Sequence, residues 1–129
     1  AVCEGHALAE SNAPSLRDLE RLPFIMYSPS EGRYFYDLMS SLLRAAEVAP
    51  SFVQHVSEVH TVLALVSAKI GVALVPAAAR SLHVKGVVLR ELDPAPRTQA
   101  ELYLAWRKRQ DNPAFQVFRN LVLPKLVDI

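Results

Sequence analysis

The sequence predicts an α/β fold, and three observations carry that prediction. Short apolar runs of strand length, Pro23-Phe24-Ile25-Met26-Tyr27 and Val72-Ala73-Leu74-Val75 foremost, alternate with longer stretches whose apolar residues recur at helical spacing. Prolines and a glycine punctuate the joins at Pro23, Pro50, Gly71 and Pro76. Of the 129 residues 51% are apolar, 8% aromatic and 21% charged, a balance that fills a core and does not suit a disordered chain. One domain, or a tight pair of small lobes, is expected at this length.

Taken in order, the polar opening 1–21 reads as the end of a strand and a connector, with Ser15 and Asp18 spaced to cap a short helical turn. The apolar run 23–27 is a buried strand emptying into the polar loop Ser28-Pro29-Ser30-Glu31-Gly32. From Arg33 to about Glu47, Phe35, Leu38, Met39, Leu42, Leu43 and Ala46 share one helical face, and Pro50 stops that helix. Ser51-Phe52-Val53-Gln54-His55-Val56 is a second strand. Ser57 then reads as a helix cap and Glu58 as a first-turn anion, with Val59, Val62, Leu63, Val66 and Ile70 as the stripe and Gly71 as the αL stop.

Val72–Val75 is a strand buried on both faces, 77–82 a helical turn, and Val87–Leu92 a further strand before the stiff linker of Asp93-Pro94-Ala95-Pro96. Beyond it Glu101–Arg107 reads as a strand, and Asn112-Pro113 opens a helix carrying Phe115, Phe118, Leu121 and Val122 that Pro124 limits or kinks.

Fourteen basic against thirteen acidic residues leave +1, no footprint for neutralising many phosphates, so the cluster Arg107-Lys108-Arg109 reads as solvated surface. A lone Cys3 makes no internal disulfide, which suits a reducing, cytoplasmic setting and a passive small side chain. No apolar run approaches the roughly 20 residues of a membrane span, and no signal-peptide pattern opens the chain. Nucleophile elbow, glycine-rich phosphate loop and zinc helix motif are all lacking, so neither enzyme nor cofactor is expected. His55 and His60 are spaced off the i, i+4 register of a helical metal pair, so no metal is expected either.

Ligands of parallel α/β sheets collect outside the carboxyl ends of strands, where helix N-termini present free N–H groups. Two such places follow the two first strands: Ser28 to Phe35, with two hydroxyls and the Gly32 turn, and His55 to Glu58. A small carboxylate suits both. Against this, Ser57 is also an ordinary cap, Arg33 an ordinary solvated helix residue, and Phe35 an ordinary core residue.

The run GHALA near the start, the strand 23–27 with its Ser-Pro-Ser-Glu-Gly loop, and the segment EVHTVLALVSAKIGVALVPAAARSL come in a set order. Val88–Leu92 and Glu101–Arg107 follow. Together they resemble the effector-binding domain of LysR-type transcriptional regulators over nearly the whole chain. The Tyr-Ser-Pro-Ser-Glu-Gly-Arg variant looks closest to the branch sensing aromatic acids and muconates.

That resemblance implies a periplasmic-binding-protein-like (type II) fold with one lobe complete and the other partial. Residues 22–92 would form the second lobe, 1–21 a crossover strand and connector left from the first, 93–98 a linker, and 99–129 a crossover strand and a helix returning to the first lobe. The effector contacts it implies are Ser28, Pro29, Ser30, Arg33, Tyr34 and Phe35, then His55, Val56 and Ser57. His55 stands where many aromatic-acid sensors carry an acidic residue. Implied partners are a small-molecule carboxylate inducer, further copies in a homodimer or homotetramer, and DNA through an N-terminal helix-turn-helix that this sequence lacks. A solute-binding module of a transporter is the alternative. The helix 33–47 and the strand 87–92 are the expected contact surfaces.

Overall fold

The apolar run at 23–27 becomes an interior strand, flanked on both sides, because it is apolar on both faces. The computed structural model describes residues 1–96, 100–101, 103–108 and 112–126, in two units, Ala1–Gln99 and Ala100–Ile129. In the first unit the elements are β1 (Val2–Cys3), α1 (Ala7–Glu10), a 3-10 turn (Leu16–Leu19), β2 (Pro23–Tyr27), α2 (Arg33–Ala45) and β3 (Ser51–Val56). They continue with α3 (Val59–Ser67), a second 3-10 turn (Ala77–Leu82) and β4 (Val87–Val88). The last four residues of β2 are at most 2% exposed.

β2 pairs in parallel with β3 on one side. On the other, Val72 brackets Phe24 as a parallel neighbour, accepting from the Ile25 N–H at 2.9 Å and donating to the Pro23 carbonyl at 2.8 Å. Ala73 and Ala1 exchange both backbone bonds, at 3.0 and 2.7 Å, the reciprocal pattern of an antiparallel pair. β1 then pairs antiparallel with β4. The order across the layer is therefore β3, β2, residues 72–73, β1, β4, with β1 alone running against the rest.

Helices α2 and α3 supply the packing. Met39 and Leu43 of α2 are buried, and Val62, Leu63 and Val66 of α3 are at most 1% exposed. Residues 1–19 join the same core through Val2, Ala9 and Leu19. Ser15 and Asp18 form the expected capping box: the Asp18 carboxylate accepts from the Ser15 N–H at 2.7 Å and from its hydroxyl at 2.9 Å.

Several local expectations change. Helix α2 ends before Pro50, in a Schellman cap in which Val48 N–H donates to Leu43 O at 2.9 Å and Glu47 takes φ 56°. Helix α3 ends the same way: Ile70 N–H donates to Leu65 O at 3.1 Å and Lys69 takes φ 62°. Lys69, and not Gly71, thus fills the αL position. Gly71 serves close approach instead, since a Cβ there would lie 2.6 Å from the Pro23 carbonyl oxygen. The αL turn also takes Ile70 out of the stripe, leaving it 47% exposed. The N-cap of α3 is Glu58, with extended backbone, and not Ser57.

Strand expectations shorten wherever a ladder partner runs out. Of 72–75, only Val72 bridges β2, and of 87–92 only Val87–Val88 pair. Strand β3 forms in full but is exposed along its length save Val56, as an edge strand, and its extra residue Val53 makes a bulge between the Phe24–Phe52 and Ile25–Gln54 pairs.

In the second unit, α4 (Pro113–Leu126) begins as expected: the Asn112 side chain accepts from the Ala114 N–H at 2.9 Å, and Pro113 opens the helix. It continues through Pro124. Trp106 lies against Phe115, ring centroids 6.0 Å apart, while Phe118 and Leu121 are 50% and 63% exposed. The expected strand 101–107 is not formed by its described residues, because the described part of this unit holds no second extended segment to complete a ladder. Leu102, Arg109 and the linker's residues 97 and 98, with 99 that begins the expected crossover, lie outside the described residues.

Candidate functional site

Parallel pairing of β2 with β3 sets Tyr27 opposite Val56, so the two expected contact segments emerge side by side. The Ser28 N–H donates to the Val56 carbonyl at 2.8 Å, which extends the ladder by one bond and ties the start of the loop to the end of β3. The chain then reverses: Gly32 N–H donates to Ser28 O at 2.9 Å, closing a single helical turn. Inside that turn the Ser28 and Ser30 hydroxyls are 3.1 Å apart, and the Ser28 oxygen is 3.4 Å from the Glu31 N–H. Ser28 is half-buried, while Pro29, Ser30 and Arg33 are exposed.

Gly32 is the N-cap of α2 and has no side chain to bond the first-turn N–H groups. The N-cap of α3, Glu58, makes no side-chain cap bond either. Two helices therefore begin at the carboxyl ends of two adjacent parallel strands, and neither is closed by a side chain. Each N-terminus carries the positive end of a helix macrodipole, worth about 0.3–1 kcal/mol to a nearby anion.

Aromatic rings floor the loop. Phe35 lies on Tyr27 with ring centroids 5.1 Å apart, and Tyr34 meets Phe35 edge-on at 5.3 Å. Phe35 is half-buried and so belongs to the core and to the rim at once. Along β3 Phe52 meets His55, ring centroids 6.0 Å apart. Arg33 is drawn along its own helix to Asp37, Nε to Oδ2 3.5 Å, in an exposed pair that costs little to break.

Tyr27 is the residue that sequence reasoning left out of this neighbourhood. Its side chain is fully buried and its hydroxyl has no hydrogen-bond partner. Burial pushes the phenol up to about 12. The available signal was a single polar atom closing an otherwise apolar strand, at the point where the loop begins.

Among the described residues His55 and His60 make no hydrogen bond to Ser28 or Ser57, and no cluster of three or more metal-ligating side chains occurs. Two cavities of the first unit lie away from this surface, one along α3 and β4 and one beside Arg17 and Glu47. What converges at 28–35 and 55–57 is an open surface with hydroxyls, helix N-termini and aromatic faces.

Residues 1–126 match the LysR substrate binding domain. The chain belongs to that family. Its curated relatives include the uncharacterised HTH-type transcriptional regulator YnfL of Escherichia coli K12, 33% identical over 88% of this chain and 38% of that protein. The HTH-type transcriptional regulator AlsR of Bacillus subtilis is 30% identical over 92% of this chain and 39% of its own length. IlvR of Caulobacter vibrioides, likewise an HTH-type transcriptional regulator, is 31% identical over 83% and 36%.

The LysR substrate-binding chain thus spans less than two fifths of the length of these relatives. Domains of this family are the inducer-sensing modules of regulators and do no catalysis, and this chain is read as a regulatory domain on that ground. Among the described residues no helix is long and apolar enough to cross a membrane.

Proposed function

We propose that this chain senses a small organic carboxylate, with an aromatic or muconate-like acid as the leading class, and passes its occupancy to a regulator's DNA-binding part. The observation that carries the reading is that α2 and α3 each start beyond the carboxyl end of one of two paired parallel strands, β2 and β3, with no side-chain cap bond from the N-cap residue. The positive end of a helix dipole favours an anion there. The Ser28 and Ser30 hydroxyls add donors, the Tyr34 and Phe35 rings offer an apolar wall, and Arg33 can leave Asp37 for a carboxylate. Pro29 stiffens the loop, and His55, Val56 and Ser57 complete the second edge.

In this reading residues 22–92 form one lobe of a type II periplasmic-binding-protein-like pair, and 1–21 with 99–129 belong to the crossing strands and the other lobe. The inducer lies between lobes and binds one of their arrangements more tightly. Such a ligand moves a 1:99 equilibrium to 99:1 only if it prefers one arrangement by about 10⁴-fold, roughly 5.5 kcal/mol. Homodimers or homotetramers would then transmit the change to an N-terminal helix-turn-helix.

Titration calorimetry of the intact two-lobe domain against benzoate, cis,cis-muconate and succinate tests the ligand class. Saturable heat with the two unsaturated acids, weaker with succinate, is the expected result. Binding of none of the three, with binding of benzylamine instead, would overturn the carboxylate reading.

A further inference from the structure

A groove lies in the same unit and shares no residue with the surface just described. It runs between α3, the 3-10 turn Ala77–Leu82 and β4 and has a volume of about 430 Å³, within the roughly 300–1,000 Å³ typical of small-molecule pockets. Buried Leu63 and the half-buried Val84, Val87 and Leu89 give it an apolar lining. Its polar groups are Arg80 and His83.

Both polar groups are placed by the local backbone. His83 closes the 3-10 turn in the αL conformation, φ 45°, with Nδ1 2.8 Å from the Ser81 carbonyl. A carbonyl can only accept, so Nδ1 donates, and Nε2 is the ring's remaining polar atom. Arg80 holds a carboxylate already: its Nη2 is 3.0 Å from Oε1 of Glu91, with the two side chains 52% and 79% exposed. A pair that exposed contributes little to stability. Glu91 is not part of the groove's lining, but its pairing shows that the Arg80 guanidinium, which is, takes a carboxylate.

We propose that this groove is an accessory site for a small monocarboxylate with an apolar body, its carboxylate taking the place of Glu91 on Arg80. The proposal does not depend on the sensing role of the 28–35 and 55–57 surface, because the two sites are mapped by different residues.

The test is residue-resolved chemical-shift mapping of the isotopically labelled chain with phenylacetate, and with phenylacetamide as the uncharged analogue of the same shape. Phenylacetate is expected to shift the amides of Arg80, Val84, Val87 and Leu89 saturably, with a Kd on the order of 1 mM. Phenylacetamide should bind about tenfold more weakly, as should phenylacetate to Arg80→Gln, because each lacks one half of a charge-assisted pair. Glu91→Gln should bind phenylacetate a few-fold more tightly, since the internal competitor is gone. That opposite sign separates ligand exchange from a general loosening of the fold. Absence of saturable shifts at these residues, equal binding of the amide, or Glu91→Gln weakening the acid would each overturn the proposal. Shifts confined to 28–35 and 55–57 would overturn it too, while leaving the sensing role intact.

Discussion

Gly71, Lys69 and Tyr27 show how single residues are fixed by what lies next to them. Gly71 is required by the approach of β2, and Gly71→Ala pushes a methyl group to 2.6 Å from the Pro23 oxygen and 2.9 Å from its carbon. Both are backbone atoms, so the strand must shift; a loss of about 1–3 kcal/mol in urea denaturation is expected. Lys69 stands in the left-handed region that glycine occupies freely. Relieving a strain of about 1–2 kcal/mol, against glycine's greater freedom when unfolded, Lys69→Gly is expected to raise stability by up to about 1 kcal/mol. Tyr27 keeps a buried hydroxyl without a partner, so Tyr27→Phe should leave stability unchanged or higher in the same assay. The phenol is raised from 10.0 to about 12 in the folded chain, so its contribution is intact below pH 10 and lost as pH rises through 12. Tyr27→Phe should flatten that alkaline loss, read as the unfolding midpoint against pH.

Elements were legible where one segment carries its own signal and illegible where a neighbour decides. The strand 23–27 and the helix from Arg33 could be read directly, because an apolar run on both faces and a one-faced stripe leave few alternatives. The cap of α3 could not, since Ser57 is the better capping residue by type and the backbone nonetheless puts Glu58 at the position. Strand lengths at 72–75 and 87–92 depend on ladder partners far away in sequence, such as Ala1 for Ala73. The stripe of α3 makes the difference measurable. Leu63→Ala, at 1% exposure, is expected to cost about 2–5 kcal/mol, while Ile70→Ala, at 47%, costs under about 1 kcal/mol, by chemical denaturation. Equal losses would restore Ile70 to the stripe.

Across the molecule, the sequence placed the candidate surface by its position at strand ends, and the fold brings its two segments together through one parallel pairing. Tyr27 beneath the loop and the groove at Arg80 were not legible, because burial and a cavity arise from packing among distant segments. The near-neutral charge of +1 leaves the local dipoles of α2 and α3, and not the net field, to select a ligand. The central claim is that an organic carboxylate docks on those helix N-termini. Chemical-shift mapping of the labelled chain with benzoate and with benzamide tests it most directly. Saturable shifts of the amides at Ser30, Arg33, Phe35 and Ser57 are expected with benzoate, with binding about tenfold weaker for benzamide. No shift at these amides with any acid, or equal shifts with the amide, would contradict it.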